Sequence, residues 1–196
     1  MTQPGGHRAA KKAATRRSIQ REALRLFLAD GYDATTVEQI AAAAGVSHMT
    51  FFRYFPTKES VVDTDDYDPL VAGLIEGRPA AEDEVAAIHR AVSTGLRAIL
   101  PEDREALLER SRLILSTPQL RARQADNQHQ TRVLFASALA RRDGLDAPSY
   151  RQEVLAAAAL AALTTAVTRW TEGNGQEDLV ELVDRAFAAL GEIEPR

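Results

Sequence analysis

Cysteine is missing from this chain of 196 residues, lysine occurs three times and tryptophan once, and aromatic residues together make up 6%. Without cysteine there is no disulfide framework, no thiolate zinc site and no cysteine nucleophile, so the chain suits a reducing cytoplasm. No unbroken apolar run approaches the roughly 20 residues that span a bilayer. The opening MTQPGGHRAAKKAATRR is charged with no apolar stretch behind it, so neither export nor a membrane partner is expected. No G-x-S-x-G, H-E-x-x-H or G-x-x-x-x-G-K-S/T occurs, and the four histidines (7, 48, 89, 129) are scattered. Asp63, Asp65, Asp66 and Asp68 alternate like calcium ligands but lack that loop's glycine and terminal glutamate, and read as a solvated helix end. No metal, no cofactor and no enzyme activity are expected.

What the chain does have is 45% hydrophobic and 27% charged residues, enough for a real core in one or two domains. The net charge of -4 is unevenly spread. Residues 1–60 carry nine Lys+Arg against five Asp+Glu, and the rest carries fifteen against twenty-three. A basic first third on an acidic body points one end at a polyanion.

Pro4, Gly5 and Gly6 mark residues 1–10 as a flexible arm. From about Ala10 the pattern is helical, with Ile19, Ala23, Leu26 and Phe27 on one face and Arg17, Arg21 and Arg25 on another, until Asp30-Gly31 ends it. Thr35 or Thr36, with Glu38 or Gln39 in the capping-box position, starts a short helix through Ile40 to Ala44. Gly45-Val46-Ser47 then supplies a tight turn, an apolar pin and a cap for a third helix, His48 to Phe55, which Pro56 stops. A fourth helix is predicted over 58–76. Beyond Pro69 the sequence reads as helix almost throughout, with breaks at Pro and Gly. The fold class is all-α, with about nine helices, no strand pair and no internal repeat.

Helix, glycine turn and helix at this spacing are what a helix-turn-helix requires. Two helices crossing steeply need small residues at the crossing, here Ala41 to Ala44, with Ile40 and Val46 plugging the gap. The second helix then projects into a major groove about 12 Å wide, while hydroxyls and cations around it take phosphates. Phe51 and Phe55, four apart, belong to the core.

The stretch Ala34-Thr35-Thr36-Val37 through Gly45-Val46-Ser47 to Phe51-Phe52-Arg53-Tyr54-Phe55-Pro56-Thr57-Lys58-Glu59 resembles the DNA-binding domain of the TetR family of bacterial transcriptional regulators. The resemblance implies a helix-turn-helix domain over 11–60 and a helical ligand-binding and dimerisation domain over 61–196. It further implies a homodimer on a palindromic double-stranded operator, usually acting as a repressor and released by a small molecule. On the family's pattern, phosphate contacts fall on Thr36, Ser47, Thr50, Tyr54 and Lys58, and base contacts on His48, Met49 and Arg53. Phe52 stands where tyrosine is common, offering apolar contact in place of a hydroxyl, and Met49 where glycine or proline is frequent. Arg16, Arg17 and Arg21 are within reach of a phosphate or a minor groove.

The segments Phe55-Pro56-Thr57-Lys58-Glu59-Ser60-Val61-Val62 and Asp65-Asp66-Tyr67-Asp68-Pro69-Leu70 resemble the branch that includes the mycofactocin-system regulator, some of whose members respond to long-chain acyl-CoA. That implies an apolar tunnel with arginines at its mouth. Candidate ligand residues are Leu74, Ile88, His89, Val92, Leu96, Leu108, Arg112 and Leu115, with Arg90, Arg97, Arg121 and Arg123 as further phosphate partners. The apolar helix 149–172 and the helix 176–192 expose enough hydrophobic surface to pair with a second copy. An activator of the same fold, a small all-α enzyme and a basic-armed interaction module are the competing readings.

Overall fold

Local stop signals, chiefly glycine and capping hydroxyls, set most helix boundaries in this chain. The structure, a computed structural model, describes residues 4–63 and 67–191. Among these there are nine helices and no strand: α1 (Pro4–Asp30), α2 (Val37–Ala43), α3 (His48–Tyr54), α4 (Ser60–Asp63), α5 (Tyr67–Glu76), α6 (Glu84–Ser116), α7 (Pro118–Arg142), α8 (Tyr150–Glu172) and α9 (Leu179–Gly191). Gly31 takes φ +89° just past α1, and Gly45 takes φ +67° between α2 and α3. Both are left-handed conformations that a side chain resists.

The structure revises four expectations. Residues 4–10, read as an arm, are the first turns of α1, since proline at the first helical position needs no N–H partner. The single helix expected over 58–76 is two, α4 and α5. The two helices expected on either side of Pro101 are one, α6, 33 residues long. Proline removes the bond to the Arg97 carbonyl, a penalty of about 3 kcal/mol that long-range packing outweighs here. Finally, α8 is long and apolar enough to cross a membrane by length and composition, which its scattered charges hid in the sequence. Its Ala156, Ala159, Ala162, Ala166 and Trp170 are instead buried in protein. Asp65 and Asp66 of the acidic stretch, and the side chain of Asp63, lie outside the described residues; the Asp68 carboxylate accepts a 2.5 Å bond from the Thr131 hydroxyl.

Two compact units form. The first comprises α1 to α4 together with Leu113–Ala122. Its core is Ile19, Ala23, Phe27, Tyr32, Ile40, Ala41, Phe51, Phe55, Val61 and Val62, joined by Leu113 and Leu120. Phe51, Phe55, Ile19 and Ile40 are completely buried. Each contributes roughly 1.5–3 kcal/mol of apolar burial, enough to hold three short helices that could not stand alone.

The second unit comprises α5, α6 as far as Arg112, α7 from Arg123, α8 and α9. Its core joins Val71 and Ile75 of α5, Ile88 and Val92 of α6, Phe135 and Leu139 of α7, the alanine face of α8 and Leu179, Val183 and Phe187 of α9. Helices α8 and α9 pack closely against each other. Ser149 and Gln152 form a reciprocal capping box at the start of α8.

Candidate nucleic-acid interface

The first unit orients its short helices by caps. Thr36 Oγ1 accepts from the Gln39 backbone N–H at 3.2 Å, and Gln39 Oε1 accepts from the Thr36 N–H at 2.7 Å, a complete capping box that resolves the Thr35 or Thr36 alternative. Ser47 Oγ accepts from the Thr50 N–H at 3.1 Å and donates its own proton to Thr50 Oγ1 at 2.9 Å. That leaves the Thr50 hydroxyl proton at the outer end of a two-hydroxyl relay. Thr36 and Ser47 are exposed and Thr50 half-buried, so three hydroxyls sit at the N-termini of α2 and α3, where the helix dipoles favour an anion.

The outer face of α3 is apolar at its centre. Met49 is 83% exposed and Phe52 40% exposed, an unusual display for a structure with so few aromatics. On the inner side Phe51 and Phe55 are fully buried with ring centroids 5.9 Å apart, as their spacing predicts. Phe52 lies edge-on to Phe51 at 5.3 Å and edge-on to His48 at 4.7 Å. His48, the first residue of α3, has Nε2 3.2 Å from Glu38 Oε1 on α2. The Glu38 carboxyl lies below its ordinary value, first because its own backbone N–H bonds it, then because the Thr36 hydroxyl does, with His48 adding less. Arg53 is exposed, its guanidinium 5.5 Å from the Tyr54 ring, which half-buries itself against the core.

Two cations behave in ways the sequence does not reveal. Lys58 Nζ donates to the Tyr32 carbonyl at 2.8 Å and the Thr35 carbonyl at 3.1 Å, and it stands 4.2 Å above the Tyr32 ring. Two of its three protons are thus held by the loop that leads into α2. Arg16 lies 4.6 Å over the Phe55 ring and donates to the Tyr54 carbonyl at 3.5 Å. Arg21 and Arg25 share Glu22, whose carboxyl is held below its ordinary range mainly by the Arg25 bond. Arg17 is exposed and has no partner among the described residues. Glu38 and Glu59, the latter accepting from the Tyr32 hydroxyl at 2.9 Å, are the site residues that sequence reasoning missed. Only their position beside the motif could have suggested them.

In the second unit, Ile88, Val92, Leu96 and Leu108 are buried in the core and Leu74 packs against it, whereas Leu115, half-buried, belongs to the first unit and is not brought together with them. His89 Nε2 is 2.6 Å from Asp184 Oδ1, and its ring stacks on Phe187 at 4.8 Å, a histidine satisfied within the protein. Arg112 donates to Asn174 Oδ1 at 3.1 Å. A cleft of about 440 Å³ opens elsewhere in this unit, lined by Arg97, Leu100, Pro101 and Arg104 of α6, Trp170 of α8 and residues 176–180. Of the residues weighed as ligand contacts, only Arg97 lines it. Among the described residues no group of three or more acids and histidines could hold a metal ion.

Comparison with known proteins agrees with this geometry. Residues 19–64 match the family described as bacterial regulatory proteins, tetR family, and residues 82–195 match the MftR C-terminal domain. The HTH-type transcriptional regulator TcmR of Streptomyces glaucescens is 34% identical over 97% of this chain and 87% of its own length. MftR of Mycobacterium tuberculosis is 27% identical, with 92% of this chain and 91% of the relative covered. Among solved structures, the transcriptional repressor FadR of Thermus thermophilus, in complex with lauroyl-CoA, aligns with a TM-score of 0.54 at 27% identity, covering 92% of this chain and 96% of that one. Regulators of this kind bind DNA as dimers. An exposed reading helix between capped hydroxyls, matched by the family along both halves of the sequence, makes this chain a member of the TetR family of bacterial transcriptional regulators, with a C-terminal domain of the MftR type.

Proposed function

We propose that this protein is a homodimeric repressor of the bacterial cytoplasm that occupies a palindromic operator and leaves it when an acyl-CoA-like molecule binds the second unit. The observation that carries the reading is the outward face of α3, where His48, Met49, Phe52 and Arg53 stand exposed while Phe51 and Phe55 fill the core behind them. Such a rod, rigid on its inner side and apolar outside, suits thymine methyls and base edges in a major groove. Thr36, Ser47, Thr50 and Tyr54 take phosphates, and the remaining proton of Lys58 takes another.

Pairing of two copies through α8 and α9 is supported by Val154, 48% exposed, and by Leu160 and Leu163, which their own subunit covers only in part. Two reading helices then face one side of DNA about 34–36 Å apart. The effector class is supported by FadR of Thermus thermophilus, which holds lauroyl-CoA, and by a second unit rich in apolar side chains with Arg97 at a cleft. The candidate walls Ile88, Val92, Leu96 and Leu108 are buried in the core, so an acyl chain between them requires those side chains to move apart. A ligand that prefers the rearranged state weakens operator binding by its differential affinity for the two states. No catalytic step enters this reading.

The test is selection of bound fragments from random duplexes, followed by titration of lauroyl-CoA against the protein–operator complex in a fluorescence anisotropy assay. A palindrome released by lauroyl-CoA and not by CoA alone is expected. Selection that yields no palindrome refutes the operator reading, and a complex indifferent to lauroyl-CoA refutes the effector class.

A further inference from the structure

His48 is held from two sides. Glu38 reaches it from the first turn of α2, and Phe52 meets its ring edge-on from one turn further along α3. Phe52 in turn leans on Phe51, which is completely buried. The histidine that faces the groove therefore has a carboxylate and an aromatic edge of its own protein beside it, with its side chain 52% exposed.

The chemistry of the carboxylate contact selects a tautomer. Glu38 presents a carboxylate, an acceptor without a proton, 3.2 Å from Nε2. Nε2 must carry the hydrogen for the contact to be attractive. In the neutral ring Nδ1 is then an acceptor, whereas in the imidazolium it is a second donor, so the acceptor assignment belongs to the neutral ring and base selection is read at about pH 8. A ring turned this way pairs with a base-edge amino group, adenine N6 or cytosine N4, and meets the two acceptors of guanine, N7 and O6, with repulsion.

We propose that Glu38 is a specificity-determining residue of this regulator, fixing His48 as an acceptor so that the operator position it reads is adenine or cytosine and not guanine. The inference rests on the reading that α3 enters the major groove and that His48 reads bases. Glu38 itself adds no affinity. Its carboxylate repels the phosphates, and the compensation is discrimination between bases, an instance of specificity bought by a repulsive group.

The experiment uses the full-length protein and compares H48A, E38A and E38Q with the parent, first by fragment selection from random duplexes and then by binding to the selected operator and to point-substituted versions. The parent is expected to select A or C at one position of each half-site and to reject G there roughly tenfold. E38A is expected to bind all duplexes as tightly or more tightly while losing that tenfold preference. E38Q, whose amide oxygen still accepts from Nε2–H, is expected to restore most of it. Parental selection of G at the position H48A alters, or an E38A variant whose affinity rises equally for every sequence with the preference intact, overturns the proposal. A profile that H48A leaves unchanged at every position overturns the base-reading role beneath it, so the two failures are distinct. Thermal melts of the three variants confirm that each is folded.

Discussion

Lys58 grips the Tyr32 and Thr35 carbonyls from above the Tyr32 ring, tying the residues after α3 to the loop that launches α2. Charged hydrogen bonds of this kind contribute about 1.5–3 kcal/mol each, moderated here by partial exposure. The K58A variant should lose about 1–3 kcal/mol of unfolding free energy, read as a lower urea midpoint with an unchanged slope. An unshifted midpoint would show that the ammonium serves DNA alone.

Arg16 and Arg17 are neighbours with opposite employment. Arg16 is spent on the Phe55 ring and the Tyr54 carbonyl, whereas Arg17 points into solvent. R16A should lower the melting temperature, corresponding to about 1 kcal/mol. R17A should leave the melt within about 0.5 kcal/mol of the parent. If Arg17 neutralises one phosphate, R17A flattens the dependence of log K on log salt by about 0.9, measured from 50 to 200 mM salt.

Glu82 gives the acid limb of the stability profile. Its carboxylate accepts from Arg78 at 2.6 and 2.9 Å and from Arg90 at 2.5 Å, and the Arg78 bond is the largest cause holding its carboxyl below the ordinary 4.5. A depressed folded value means that stability is present above the unfolded value and is lost as pH falls through the folded one. The difference in unfolding free energy between the parent and E82Q should be constant from about pH 7 to pH 5.5, then shrink steadily below about pH 4.5. Urea titrations across that window measure it; a gap that widens toward acid would refute the assignment.

Gly175 closes the α8–α9 turn at φ +72°, and a Cβ built there would lie 2.9 Å from Leu108 Cδ2. Alanine meets both the left-handed backbone and a side chain in the core. G175A should destabilise the protein by about 2 kcal/mol in a thermal or urea melt, and Asn174, which already takes φ +54°, cannot absorb the strain.

The parts legible in the sequence were those written in local code. The end of α1 at Gly31, the capping residues of α2 and α3, the turn at Gly45 and the buried pair Phe51 and Phe55 each follow from a few adjacent residues. The rest depends on partners distant in the chain. Nothing near Lys58 announces the carbonyls of residues 32 and 35, and nothing near Arg16 announces Phe55. Pro101 reads as a break because its own penalty is local, while the packing that overrides it comes from several helices. In the same way Glu38 looks like an ordinary first-turn acid until α3 brings His48 against it.

Trp170, the sole tryptophan, is 1% exposed, its indole nitrogen has no hydrogen-bond partner among the described residues, and Arg104 stands 5.7 Å from its ring while donating to the Gly175 carbonyl. Excited at the red edge of protein absorption, the molecule therefore emits from a single point, near the turn between its last two helices and beside the cleft. The reading head stays dark in that channel. Whatever disturbs the second unit, whether a ligand, a second copy or the first step of unfolding, announces itself there without any attached dye.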